Sequence, residues 1–220
     1  MSFTIPKLQY DTKKFDQNFY SEEAFFLHLN KHHQTYVTKL NEAVQSVKLN
    51  LPLTKLLTES IKNTSLPEKT RTLIRNNGGG HYNHSLFWLC MSPEKKCEIS
   101  EELKSKLENK FGSFDKFINQ FKEQSVTLFG SGWTSLVIKN DEFEIVQTAN
   151  QNSPISEGGS VILTLDVWEH AYYVVYKNDR KRFIDDWVEH INWKNVSSFY
   201  DCYAKKNVPV EVECDGSVKI

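Results

Sequence analysis

Cysteine is sparse and scattered in this chain. Its four residues, Cys90, Cys97, Cys202 and Cys214, form no CxxC pair. Neither a disulfide-stapled scaffold nor a thiolate metal cage is indicated, and they read as reduced thiols of a cytosolic protein. A surplus of charge is lacking too. Lys and Arg number 27 against 28 Asp and Glu, for a formal net charge of −1, which excludes the basic surface that non-specific nucleic-acid binding needs. No apolar run approaches the roughly 20 residues of a membrane span. The first ten residues have neither a basic n-region nor an apolar h-region, so a cytoplasmic location is expected. Repeats and low-complexity tracts are absent as well. Aromatic residues, by contrast, are plentiful: 14 Phe, 9 Tyr and 5 Trp in 220 residues, enough for a densely packed interior.

Residues 1–20 read as an irregular lead-in. Ser21 followed by Glu22 and Glu23 marks a helix start, and Phe25, Leu29, Val37, Leu40 and Val44 then recur at helical spacing to about Val47. A short helix is predicted over 53–61. A second long one is predicted over about 68–89, with Ser65 as its N-cap and Pro67 in the first turn. Gly78, Gly79 and Gly80 sit inside it at a cost of roughly 1 kcal/mol each. Close approach of another backbone would account for them, and the predicted neighbour is the first long helix, as an antiparallel hairpin. After the polar stretch 91–96 come helices at about 100–111 and 113–128, separated by Gly112. Two β-rich runs, 133–139 and 142–149, are joined by Asn140-Asp141 as a hairpin. A buried run, 161–165, ends at Asp166. Helices are predicted at about 180–191 and 197–205, and the remainder reads as a loose tail.

The predicted class is α+β. An N-terminal long α-hairpin domain (1–92) precedes a C-terminal α/β domain (93–206) with a small, mostly antiparallel three-stranded sheet, then the tail 207–220.

Chemistry concentrates where the third strand ends. Asp166 and His170 stand four apart, among Trp168, Tyr172 and Tyr173. By themselves they fit a capping Asp beside a packed His better than a metal site. On the first long helix His28, His32 and Tyr36 share one stripe, with His33 turned toward other surroundings. Facing helices would bring His84 opposite His28. Three imidazoles and one carboxylate make a four-ligand set for a first-row metal, with a position left for solvent or substrate.

In order, His28-x-x-x-His32-His33-x-x-Tyr36, Gly78-Gly79-Gly80-His81-x-Asn83-His84, Gly130-Ser131-Gly132-Trp133, Asn150-Gln151 and the run from Asp166 to Tyr173 resemble the iron/manganese superoxide dismutases over about residues 3–205. The resemblance implies that His28, His84, Asp166 and His170 hold one metal ion with bound water or hydroxide in trigonal-bipyramidal geometry. It implies dismutation of two superoxide ions to dioxygen and hydrogen peroxide by one-electron metal cycling. Gln151 would hydrogen-bond the bound solvent, Tyr36 and His32 would stand at the substrate funnel and relay protons, and Trp88, Trp133 and Trp168 would wall the metal in. Glu169 and Tyr173 would bridge a homodimer by meeting the partner's ligand and funnel histidines, and a tetramer would depend on the hairpin tip near 46–66. Gly80 with Gln151 is the manganese arrangement of the family, iron remaining possible. Three departures stand out: Ser135 where a second Trp is frequent, Asn178 to Arg182 in place of the usual Asn-Arg-Arg-Pro, and the tail. A hydrolase using the open metal position and a metal-free scaffold are the competing readings.

Overall fold

The computed structural model describes residues 2–220. Its first half is a helical hairpin. The first arm comprises α1 (Glu22–Leu27), a π-helical segment (His28–His33) and α2 (Gln34–Ser46). Ser21 caps it as expected, accepting from the Ala24 N–H at 3.1 Å, with Glu22 and Glu23 in the first turn. After α3 (Leu53–Thr58) the second arm runs through α4 (Glu68–Leu73), a π-helical segment (Ile74–Gly78) and α5 (Gly79–Leu89). The arms are antiparallel. His28 lies beside His84, His33 beside His81, Tyr36 beside Gly80 and Leu40 beside Gly78. The second arm's N-cap is Pro67 rather than Ser65. Asn63 accepts the Ser65 N–H instead, in a local turn that leaves the serine outside the helix.

The glycines make room, though not for the first helix's backbone. A Cβ on Gly79 would lie 2.0 Å from the Gln151 carbonyl oxygen, and one on Gly80 would lie 2.6 Å from the Tyr36 ring. One glycine therefore admits a loop of the second half, and the next admits a side chain of the facing arm.

The second half begins with α6 (Glu101–Phe111) and α7 (Phe114–Thr127), each capped by a serine hydroxyl, Ser100 and Ser113. Gly112 ends α6 at φ 90°, the left-handed conformation that glycine adopts freely. Strands β1 (Gly132–Lys139), β2 (Glu142–Ala149) and β3 (Ser160–Asp166) form an antiparallel sheet of order β2-β1-β3. Asn140 and Asp141, at φ 52° and 62°, close the predicted two-residue hairpin. In β1 the residues from Gly132 to Ile138 are buried on both faces and β3 is buried throughout, whereas β2 alternates as an edge strand. A short helix, α8 (Glu169–Tyr176), follows β3 and was not among the predicted elements. Then come α9 (Arg180–Glu189) and α10 (Trp193–Cys202), the latter starting and ending earlier than its sequence suggests, with Asn192 as its cap.

The irregular lead-in supplies the joint between the halves. Phe15, Phe19, Tyr20 and Phe25 cluster at the foot of the hairpin, and Phe19 stacks on His190 at 4.2 Å. Each ring so buried contributes roughly 1.5–3 kcal/mol. The tail is not loose. Val210, Val212 and Val218 are buried, Val212 bridges to Val218, Tyr82 donates to the Val210 carbonyl at 3.0 Å, and the Thr4 N–H donates to the Cys214 carbonyl at 2.8 Å.

Candidate metal centre

The four candidate ligands arrive on four different elements. His28 opens the first π-helical segment and His84 lies in mid-α5. Asp166 is the last residue of β3, paired across the ladder with Trp133 at the start of β1. Its Oδ1 accepts the Trp168 N–H at 2.8 Å. This local turn fixes the carboxylate and lets α8 begin one residue later, which brings His170 back over it.

Their ligand atoms lie within 4.8 Å of one another. Asp166 Oδ2 is the focus, 3.2 Å from His28 Nε2, 3.6 Å from His84 Nε2 and 3.2 Å from His170 Nε2. His28, His84 and Asp166 are fully buried. The Nε2 atoms of His28 and His84 make no hydrogen bond, although a buried polar atom so left costs roughly 1–3 kcal/mol. A cation at the convergence would satisfy both nitrogens and the carboxylate together. One hard oxygen and three borderline nitrogens suit manganese or iron. The residues fit the ion.

The electrostatics prepare the same outcome. Burial pushes the His28 imidazole down to about 4 against the opposing pull of Asp166, and it drives His84 well below the usual histidine range. Burial would raise Asp166, but His170 and His28 hold its carboxyl well below the usual carboxylate range. A neutral His28, a neutral His84 and an ionised Asp166 are in the protonation states a metal requires.

Around this cluster stand the other predicted residues. Trp88 and Trp133 are buried, their rings edge-on to His28 at 4.8 Å and His84 at 4.9 Å. Trp168 is half-buried, stacks on His170 at 5.3 Å and donates to the Asn150 carbonyl. Trp133 Nε1 donates to Gln151 Oε1 at 3.0 Å, and Gln151 Nε2 donates to the Tyr36 hydroxyl at 3.0 Å. Burial raises that phenol to about 12, so it is protonated at neutral pH. Exposed His32 stacks over His170 at 4.3 Å. Glu169 and Tyr173 point outward and meet none of the four ligand atoms among the described residues.

Two of the departures have local explanations. Ser135 hydrogen-bonds Thr164 across the sheet at 2.8 Å, so its place is filled by a polar pair. Arg180 donates to the Leu128 and Gly130 carbonyls at 2.7 and 2.8 Å, and Asp179 caps α9. That arginine closes the end of α7.

Sequence reasoning missed two arrangements. Trp88 Nε1 donates to His33 Nδ1 at 3.1 Å, which leaves the His33 hydrogen on Nε2 to donate to His81 Nδ1 at 2.8 Å. Buried Tyr20 places its hydroxyl 2.5 Å from His28 Nδ1. Nothing in the spacing marks Tyr20, because it lies before the helix begins.

Comparison with known proteins agrees with this geometry. The family model described as iron/manganese superoxide dismutases, alpha-hairpin domain, matches residues 2–92, and that described as their C-terminal domain matches residues 98–199. The chain belongs to the iron/manganese superoxide dismutase family. Among its relatives in that family are proteins named superoxide dismutase [Mn]. The one from Listeria innocua is 43% identical over 203 residues, covering 91% of this chain and 98% of the relative. The Listeria ivanovii protein is 45% identical over 202 residues, with 91% and 98% covered.

Proposed function

We propose that the chain dismutes superoxide on a single manganese ion held by His28, His84, Asp166 and His170. The observation that carries this reading is the convergence of two unpartnered buried imidazole nitrogens, with His170 Nε2, on one buried carboxylate oxygen. When bound, the ion supplies one-electron chemistry, alternating between its +3 and +2 states as two superoxide ions and two protons become dioxygen and hydrogen peroxide.

The chain's own residues do the rest. Ionised Asp166 offsets cationic charge in a dry site. Trp88 and Trp133 exclude water from the ligand nitrogens beside them. Tyr36 accepts from Gln151 and keeps its own O–H free to donate, so a proton can be handed over at its oxygen. His32, exposed above His170, stands at the entrance and passes protons inward. Gln151 is held from its other end by Trp133, which fixes its amide direction.

Manganese rather than iron is supported by the relatives' names and by the space at Gly80. A Cβ there would lie 2.6 Å from the Tyr36 ring, so an amide from Gln151 fits this packing and one from position 80 would require the ring to shift.

A homodimer is part of the proposal. His170 Nδ1 finds no acceptor among the described residues, and Glu169 lies exposed next to it. Half-exposed Tyr173 and fully exposed Phe129 add apolar surface, with Arg180 linking the neighbouring Tyr172 and Gly130. A second copy's Glu169 would supply the missing acceptor. The family models' limits support separate hairpin and sheet units, and four free cysteines support a reducing, cytoplasmic setting. No helix among the described residues is long and apolar enough to cross a membrane.

Elemental analysis of the purified protein, with activity assayed after reconstitution by manganese or by iron, tests the reading. About one manganese per chain, with activity restored by manganese alone, is expected. Iron with equal activity would overturn the metal assignment. No bound metal and no activity with either would overturn the function.

A further inference from the structure

Each ligand imidazole has a second ring nitrogen, and the fate of these nitrogens differs. His84 Nδ1 donates to the Gly80 carbonyl of its own helix at 2.7 Å, a backbone partner that substitution cannot remove. His28 Nδ1 instead meets a side chain, the Tyr20 hydroxyl, at 2.5 Å. Tyr20 is buried, packed edge-on against Phe25 at 4.6 Å and anchored by its N–H to the Asp16 carbonyl at 2.9 Å. Its hydroxyl makes no other hydrogen bond among the described residues. The phenol is held rigidly, and its one polar partner is a candidate ligand.

We infer that Tyr20 is a positioning residue for the metal centre, selecting the His28 tautomer that presents an Nε2 lone pair to the ion. The inference rests on reading the four-residue cluster as a metal site. With Nε2 committed to the ion, the His28 hydrogen sits on Nδ1 and donates to the Tyr20 oxygen. Without the ion, Tyr20 O–H donates to Nδ1 and the His28 Nε2–H faces Asp166 Oδ2, 3.2 Å away. The hydroxyl can serve either direction, because it can donate or accept. The two directions are unequal in strength. An imidazole polarised by a cation makes a charge-assisted bond, roughly twice as strong as a neutral one. By accepting from Nδ1–H, the Tyr20 oxygen steadies the tautomer the loaded site needs and couples metal binding to the packing of the lead-in segment.

The test compares manganese-loaded wild type, Tyr20→Phe and Tyr82→Phe. Phe keeps the ring contacts at position 20, so the fold is expected to survive. Tyr82→Phe removes another buried hydroxyl that touches no ligand and serves as the control for general loosening. Three quantities are read: the rate of manganese loss into excess EDTA, the midpoint reduction potential, and cooperative melting of the metal-free protein. The expected result is weaker retention in Tyr20→Phe by about 10–100-fold, as for other groups that orient a ligand histidine. Its potential should shift and its metal-free melting stay cooperative, while Tyr82→Phe matches wild type in retention and potential. Wild-type retention and potential in Tyr20→Phe would overturn the inference. So would equally fast loss in Tyr82→Phe, which would mark a packing effect. A wild type that takes up no manganese would overturn the metal-site reading itself, and the inference with it.

Discussion

His28 and His170 face the same carboxylate oxygen at the same 3.2 Å, yet their surroundings are opposite. His28 comes from the helical hairpin, is fully buried, and has its Nδ1 held within its own chain by Tyr20 while its unbonded Nε2 faces Asp166. His170 comes from the sheet half, keeps 11% of its side chain exposed, and sends its Nδ1 to no acceptor among the described residues. One side of the centre is finished inside the chain. The other is finished, on the reading proposed above, by a second copy. The hairpin sets the ligand geometry, and on that same proposal the open side serves substrate entry and contact between subunits.

The largest effect is expected where both sides meet. Asp166→Ala removes the shared focus and the one anionic ligand that would offset the charge of the ion. Metal affinity should fall by more than the roughly 100-fold that marks loss of a mere supporting group, as measured by metal content after dialysis. Next comes Gln151→Leu, which leaves the Trp133 N–H unpartnered and frees Tyr36. The fold should persist while turnover falls about 10–100-fold and the reduction potential shifts; unchanged turnover would remove Gln151 from the mechanism.

Glu169→Ala tests the open side alone. Sedimentation should show monomers, and turnover should drop about tenfold, while His28 and His84 keep the metal bound. A variant that remains dimeric with full activity would sink the contrast between the two sides.

Smaller effects test how the hairpin is seated. Gly79→Ala would press a methyl group into the Gln151 carbonyl, costing about 3 kcal/mol of stability in thermal melts, at the upper end for overpacked sites. Ser21→Ala removes only the cap of α1, for about 1 kcal/mol, and metal retention should be unaltered.

Much of this could be read from residues alone. The hairpin follows from Ser21 with its acids, from the long apolar stripe and from the glycines. The sheet follows from the Asn140-Asp141 turn between alternating runs. The cluster follows because His28 and His84 lie on facing helices and Asp166 ends a buried strand. What escaped was encoded in tertiary contact. The π-helical segments His28–His33 and Ile74–Gly78 keep the apolar stripe of an α-helix, so hydrophobic period does not distinguish them. Tyr20 precedes the helix and acquires its partner only when the lead-in folds back. The tail did carry a signal, the alternation of Val208, Val210 and Val212 with Pro209 and Glu211, which is strand-like. Its partners are Val218 within the tail, Tyr82 in the hairpin and, for Cys214, Thr4 near the start of the sequence.

That pairing of Thr4 with Cys214 also sets a schedule. Chains emerge from synthesis N-terminus first, so the lead-in can dock early through Phe3, whose backbone Asn41 holds from both sides. Its neighbour Thr4 must wait until Cys214 has been made. The two paired segments then close the stretch between them into a near-ring, the kind of arrangement that tolerates circular permutation. A chain joined there and reopened at the exposed hairpin tip would keep every ligand while reversing which of them is synthesised first.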